Sequence, residues 1–133
     1  MSDAREVSAE PVEVTRARFR PPSIATLFVG ESAPASGDFF YCGNTSMARE
    51  MRRAVETAFG PTTGDFRERI KAFCWYLDDL VLEPVNRLRT AERRAMCRDA
   101  RQSLAICISE YQPHAIVVLL RRINRDVAAA ARV

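Results

Sequence analysis

IATLFVGESAPASGDFFYCGN, residues 24–44, decides the fold: a short apolar run ended by Gly30, a loop with a Pro and a second Gly, three aromatics in succession, then the residues that start a helix. Ile24 to Val29 has the length and near-continuous apolar character of a central strand buried on both faces. After the loop, Asn44, Thr45 or Ser46 can cap a helix in which Met47, Met51, Val55 and Phe59 recur on one face, with Arg49, Glu50, Arg52, Arg53 and Glu56 between them. Gly60-Pro61 stops it.

The same alternation continues to the C-terminus. Asp65 can cap a shorter helix, with Glu68 at the capping-box position, that buries Phe66, Ile70, Phe73 and Cys74. A second strand is expected around Leu77 to Leu82, stopping before Pro84. Thr90 is placed to cap a long helix reaching Tyr111, with Cys97, Ala100, Leu104, Cys107, Ile108 and Tyr111 on its inner face. Ala115 to Leu120, AIVVLL, reads as the clearest buried strand, and Ile123 to Ala131 as a last helix. Strands alternating with helices of this length predict an α/β fold, a three-layer α/β/α arrangement around a mainly parallel sheet. Residues 1–18 are polar, carry a Pro and keep no period, and so read as a flexible tail ahead of a domain spanning residues 19–133.

Composition bounds the function only loosely. The 133 residues suit one domain, and Lys+Arg exceeds Asp+Glu by only three, so the whole-molecule field is no argument for a polyanionic partner. Lys71 is the sole lysine; every other basic residue is Arg, which suits bidentate phosphate contacts, although a GC-rich gene gives the same bias. No apolar run is long enough for a membrane helix, the N-terminus has no signal-peptide core, and a cytoplasmic location is expected. Cys42, Cys74, Cys97 and Cys107 form no C-x-x-C pair and read as small buried hydrophobes rather than as metal ligands or a disulfide framework.

In a parallel α/β sheet, ligands bind outside the carboxyl ends of the strands, and the Gly30–Asn44 loop occupies that place. It is not a Walker loop, because Gly37 is followed by Asp38 rather than Lys, and it lacks the closing Gly of a nucleophile elbow. His114, the single histidine, enters a strand far from the loop, which argues against a Ser-His triad. Phe39, Phe40 and Tyr41 are open to two readings: a packed plug at the strand end, or rings at the mouth of a pocket that holds an extruded nucleobase.

Gly30-Glu31-Ser32-Ala33-Pro34, the Phe40 that follows Gly37, the strand Asp79-Leu80-Val81-Leu82 and the run from Glu110 to Leu119 together resemble the uracil-DNA glycosylase superfamily, most of all its bacterial iron-sulphur-type relatives. The likeness covers about residues 20 to 131 and rests on the order and spacing of the set. It implies a uracil-DNA glycosylase-like fold and base-excision chemistry, that is, N-glycosidic hydrolysis in DNA repair. Carried over, Gly30 and Phe40 fall at base-binding positions, Glu31 and Ser32 at catalytic ones, and Asp79 where the family usually has an Asn that reads the uracil edge. Pro34 fits only with a one-residue slip.

Three departures carry physical consequences. Ser32 brings no charge to a cationic transition state, leaving Glu31 as the only acid in the loop motif. Ionised Asp79 only accepts hydrogen bonds, which suits an amino-bearing base better than uracil. The cluster cysteines are missing, with Glu83 roughly where one would be, so no iron-sulphur cluster, other metal or cofactor is expected. The family continues with a further strand and a His-Pro-Ser-like loop where this chain reaches Val133, which implies a shortened member whose uncovered sheet edge can pair with another chain. The activity expected is therefore that of a DNA glycosylase, with a non-catalytic nucleic-acid- or protein-binding relative as the alternative. Arg87, Arg89, Arg93 and Arg94 form a candidate phosphate-facing strip, and a solvated helix face is the other reading of it.

Overall fold

A computed structural model of the chain describes residues 11–34, 36 and 39–132. The expected α/β architecture is present as a three-stranded parallel sheet flanked by helices, in the order β2-β1-β3, where β1 is Thr26–Gly30, β2 is Trp75–Asp79 and β3 is Ala115–Val118. In register, Gly30 stands beside Asp79 and Val29 beside Val118, which brings the carboxyl ends of all three strands to one edge of the fold.

The helices in chain order are α1 (Val12–Arg18), α2 (Ser46–Phe59), α3 (Phe66–Ala72), α4 (Thr90–Asp99), α5 (Arg101–Tyr111) and α6 (Asn124–Ala131). Local chemistry sets several of their ends. Thr45 Oγ1 accepts the Ala48 N–H at 3.1 Å, Asp65 Oδ1 accepts the Arg67 N–H at 2.8 Å, and Gly60 closes α2 at φ +95°, a conformation that favours glycine. Thr90 is not a cap: it is the first residue of α4, and Arg89 at the cap position offers no side-chain bond.

Several expectations are corrected. The helix read as continuous over 90–111 is two, joined at Ala100. This joint lets α4 turn Arg93 and Cys97 toward Glu31 while α5 ties to α6 through Arg101 Nε and Asp126 Oδ1 at 2.7 Å. Strand β2 lies two residues earlier than expected because Cys74, at φ +64°, turns the chain out of α3, although the Leu80 and Val81 N–H groups continue the ladder onto the Gly30 and Glu31 carbonyls at 2.8 and 2.9 Å. Phe59 is exposed, its ring tilted against that of Phe73 at 5.4 Å between centres. Of the four cysteines only Cys97 is buried. The AIVVLL strand is not enclosed either: β3 is the sheet margin, its residues alternate between exposed and half-buried, and Val117 keeps 39% of its surface.

The tail reading fails from Val12 onward; residues 1–10 lie outside the described part. Helix α1 is docked, with Thr15 and Arg16 buried, and Lys71 Nζ donates to the Arg18 carbonyl at 2.9 Å from α3. Among the described residues no helix is long and apolar enough to cross a membrane.

The core runs from Leu27 and Val29 on β1 through Tyr76 and Leu77 on β2 to Ile123, Val127 and Ala130 near the C-terminus. Tyr41 is its aromatic centre. It is fully buried, stacks on Phe19 at 5.9 Å, meets Phe40 edge-on at 4.9 Å, and its hydroxyl oxygen accepts the Leu77 N–H at 2.7 Å. That bond holds the loop after β1 to the middle of β2.

Candidate functional site

Where the strands end, the described residues leave an open space. Gly30, Ser32, Ala33 and Pro34 from one side, Phe39 and Phe40 from another, Leu77 and Asp79 from β2, and Leu119 and Leu120 after β3 enclose an open slot of about 180 Å³. The packing reading holds for the aromatic run: Phe39, Phe40 and Tyr41 are all buried in the core, and Phe39 and Phe40 also line the slot. Gly37 and Asp38, which complete the sequence motif, lie outside the described residues.

Gly30 has a steric reason to be glycine. A Cβ built there would stand 2.8 Å from Asp79 Oδ1. Asp79 thus reaches across the end of β1 and forms the acidic floor of the slot.

Its other oxygen is held by a residue that the sequence reading assigned to a tail. Arg16 Nη2 donates to Asp79 Oδ2 at 3.0 Å, Arg16 Nη1 donates to Asp78 Oδ1 at 2.9 Å, and the guanidinium lies 5.1 Å from the centre of the Phe39 ring. Arg16 is 3% exposed, and its Nε has no hydrogen-bond partner. Burial pushes the Asp79 carboxyl up to about 6 against the pull of Arg16, with the neighbouring Asp78 charge adding to the rise. Asp79 therefore carries its charge at neutral pH and loses it in mild acid.

Glu31 lines the slot, but its carboxylate is committed elsewhere. Arg93 Nε donates to Oε2 at 2.9 Å and Arg122 Nη2 to Oε1 at 2.8 Å, and the Cys97 thiol lies 3.7 Å from Oε2. Burial alone would raise the Glu31 carboxyl, yet these two guanidiniums outweigh it and hold it below its usual range. The same desolvation, with the Glu31 charge beside it, pushes the Cys97 thiol up to about 11, so the buried sulphur stays protonated. Ser32, the other residue expected to be catalytic, accepts the Val85 N–H on Oγ at 3.2 Å and so fastens the loop to the segment after β2.

Behind Glu31 opens a second and larger cleft of about 580 Å³, lined by Arg93, Arg94, Arg98 and Arg101 from the α4–α5 side, Arg121 and Arg122 from the turn after β3, and Arg125 from the start of α6. Among the described residues, the carboxylates that line it are Glu31 and Asp126. Arg93 and Arg122 share the first and Arg101 binds the second; Arg94, Arg98, Arg121 and Arg125 have no acidic partner among the described residues. Glu31 is the partition between slot and cleft, bordering both.

Of the residues expected from sequence, Gly30, Ser32, Phe40 and Asp79 meet at the slot, and Arg93 and Arg94 lie in the cleft. Arg87 and Arg89 are exposed and line neither, so the strip is shorter than expected and turns toward α6 instead. Arg16, Arg98, Arg121, Arg122 and Arg125 were missed. His114 sits at the opposite end of β3, where its N–H pairs with the Ala25 carbonyl at 2.9 Å. No known protein family, curated protein or solved structure matches this chain.

Proposed function

We propose that this is a nucleic-acid-binding domain of the uracil-DNA glycosylase type, which tracks a single DNA strand along the arginine cleft and takes one extruded base into the slot beside Phe40. The observation that carries this reading is the adjacency of the two cavities through Glu31: phosphates need dense, unneutralised guanidiniums, an extruded base needs a small ring-walled slot, and here the two adjoin.

Binding rather than excision is the favoured activity. Hydrolysis of a glycosidic bond calls for a carboxylate or an oriented water facing the cationic sugar. Glu31 spends both oxygens on Arg93 and Arg122, Asp79 gives one to Arg16, and Ser32 Oγ is engaged by a backbone N–H. The test is retention of fluorescent single-stranded DNA at low salt, its loss as salt rises, and incubation with uracil-, hypoxanthine- and xanthine-bearing strands followed by cleavage of abasic sites. Salt-sensitive binding without scission is expected. Failure to bind at low salt would end the proposal, and scission at one of these bases would establish the glycosylase reading in its place.

A further inference from the structure

Among the described residues, seven guanidiniums line the cleft behind Glu31 against two carboxylates, which leaves five positive charges around one cavity. Arg93 and Arg122 are committed to Glu31, and Arg101 to Asp126. The four that remain, Arg94, Arg98, Arg121 and Arg125, come from two walls. Arg94 and Arg98 stand one turn apart on α4; Arg121 and Arg125 stand four residues apart, from the short 3-10 helix Arg121–Ile123 into the first turn of α6. Like charges at this spacing repel and destabilise a helix, so the fold gathers four mutually repelling cations that its own carboxylates do not neutralise. Both helices also begin at the cleft: Thr90, the first residue of α4, and Arg125 and Asp126 of α6 line it, and neither helix has a side-chain cap. Their N-terminal ends add to the same positive field.

We infer that the cleft is a site for a compact polyphosphate group, a triphosphate above all, carried by the 5′ end of a strand or by a free nucleotide. This rests on the strand-binding reading for the cleft alone and names the group that the cleft prefers; the slot does not enter it. Charge density is the reason. Arg93 to Arg101, eight residues along α4 and into α5, mark out a wall of about 12 Å at the rise of a helix. A stacked strand carries one charge per ~3.4 Å, so along that wall it presents roughly three or four at its densest, and fewer once it opens to release a base. A terminal phosphate brings about two negative charges and each bridging phosphate about one, so a triphosphate delivers roughly four on adjoining phosphorus atoms. That equals the number of uncommitted guanidiniums. Each is a planar fork of donors suited to a pair of phosphate oxygens, and two walls let them grip successive phosphates from both sides. Glu31 and Asp126 spend their charge on Arg93, Arg122 and Arg101 and leave the other four to the ligand.

The experiment uses the whole chain at low salt with no divalent cation present. Single strands of one sequence, labelled at the 3′ end and ending 5′ in a hydroxyl, a monophosphate or a triphosphate, are compared by fluorescence anisotropy. Inorganic triphosphate, a free nucleoside triphosphate and orthophosphate are compared by calorimetry at matched ionic strength. Inorganic triphosphate is expected to bind one to one and about tenfold or more tightly than orthophosphate. A triphosphate-ended strand that outbinds the hydroxyl-ended one by a similar factor supports the inference with the strand end as source. A free nucleotide that binds at least as well as inorganic triphosphate, while the three strands bind alike, supports it with the nucleotide as source. If inorganic triphosphate binds no better than orthophosphate and the 5′ group makes no difference, the inference is wrong, while retention of the hydroxyl-ended strand keeps the strand-binding reading. Loss of that retention sinks the strand-binding reading instead. Arg121→Ala with Arg125→Ala, both at exposed positions, is expected to remove the triphosphate advantage, whereas Arg87→Ala with Arg89→Ala, outside the cleft, leaves it. An advantage that survives the first pair would place the group elsewhere and overturn the inference.

Discussion

Replacing Arg16 with methionine keeps most of the apolar stem and removes the cation that ion-pairs with both Asp78 and Asp79. Breaking a buried ion pair from one side typically costs about 3–5 kcal/mol, because the abandoned charge stays buried. The orphaned Arg16 Nε already costs the native fold something that methionine does not, which places the expected loss toward the lower end, at about 3 kcal/mol. With a typical urea slope of about 1–3 kcal/mol per molar, the unfolding midpoint falls by about 1–3 M. The loss also depends on pH, in a direction that the Asp79 environment fixes. In the native protein burial raises this carboxyl to about 6, so its contribution to stability is fully present in acid and is lost as the pH climbs through 6. Without Arg16 the lowering influence is gone, the folded carboxyl titrates higher still, and the window of loss extends upward. Arg16→Met is therefore expected to be markedly more destabilising at pH 8 than at pH 5 in paired urea titrations. A loss below about 1 kcal/mol at pH 8, or an equal loss at both pH values, would refute the view that Arg16 serves to neutralise these aspartates.

Three further outcomes follow from the site. Arg94→Ala combined with Arg98→Ala is expected to flatten the salt dependence of single-strand binding, lowering the slope of log K against log salt by about 1–1.5 while leaving the melting temperature unchanged; Arg87→Ala, away from the cleft, leaves the slope as it was. Glu31→Gln takes the negative partner from Arg93 and Arg122, so the protein loses about 1–3 kcal/mol in urea titration yet binds single strands more tightly at low salt. Weaker binding by that variant would mean the carboxylate itself contacts the nucleic acid. Tyr41→Phe leaves the Leu77 N–H, at 2.7 Å from the phenol in the native core, without an acceptor; a loss of about 1–3 kcal/mol by urea titration is expected, and none would mean that the loop is held by ring packing alone.

The parts of the fold that could be read from the chain were those set by local chemistry. Thr45 and Asp65 cap helices because their side chains reach N–H groups two or three residues away, and the apolar run before Gly30 is a strand whatever surrounds it. Gly30, Phe40 and Asp79 converge as expected because parallel strands align their carboxyl ends. Arg16 escaped because nothing around it marks one arginine of a charged helix as buried; the signal was in YLDDLVL, where two adjacent acids inside an apolar strand demand a cation from elsewhere. The arginine cleft was read too narrowly from the 87–94 segment, although LLRRINR sets three of its members directly after a strand end. Burial of β3 was overstated because an apolar run records what a strand can tolerate on both faces, whereas enclosure depends on what lies beside it.

The contact between Gly30 and Asp79 ties two positions far apart in the chain into one heritable unit. Any side chain at 30 must push Asp79 Oδ1 aside, and the amide of an asparagine at 79 is just as bulky, so only a shorter residue there would make room. A mutational scan that varies one codon at a time would score Gly30 as intolerant, whereas a library that varies both would recover combinations such as Gly30→Ala with Asp79→Ala, in which Arg16 keeps Asp78 as its anchor. Epistasis of this kind, measured without any ligand, would report the geometry of the slot floor directly from survival counts.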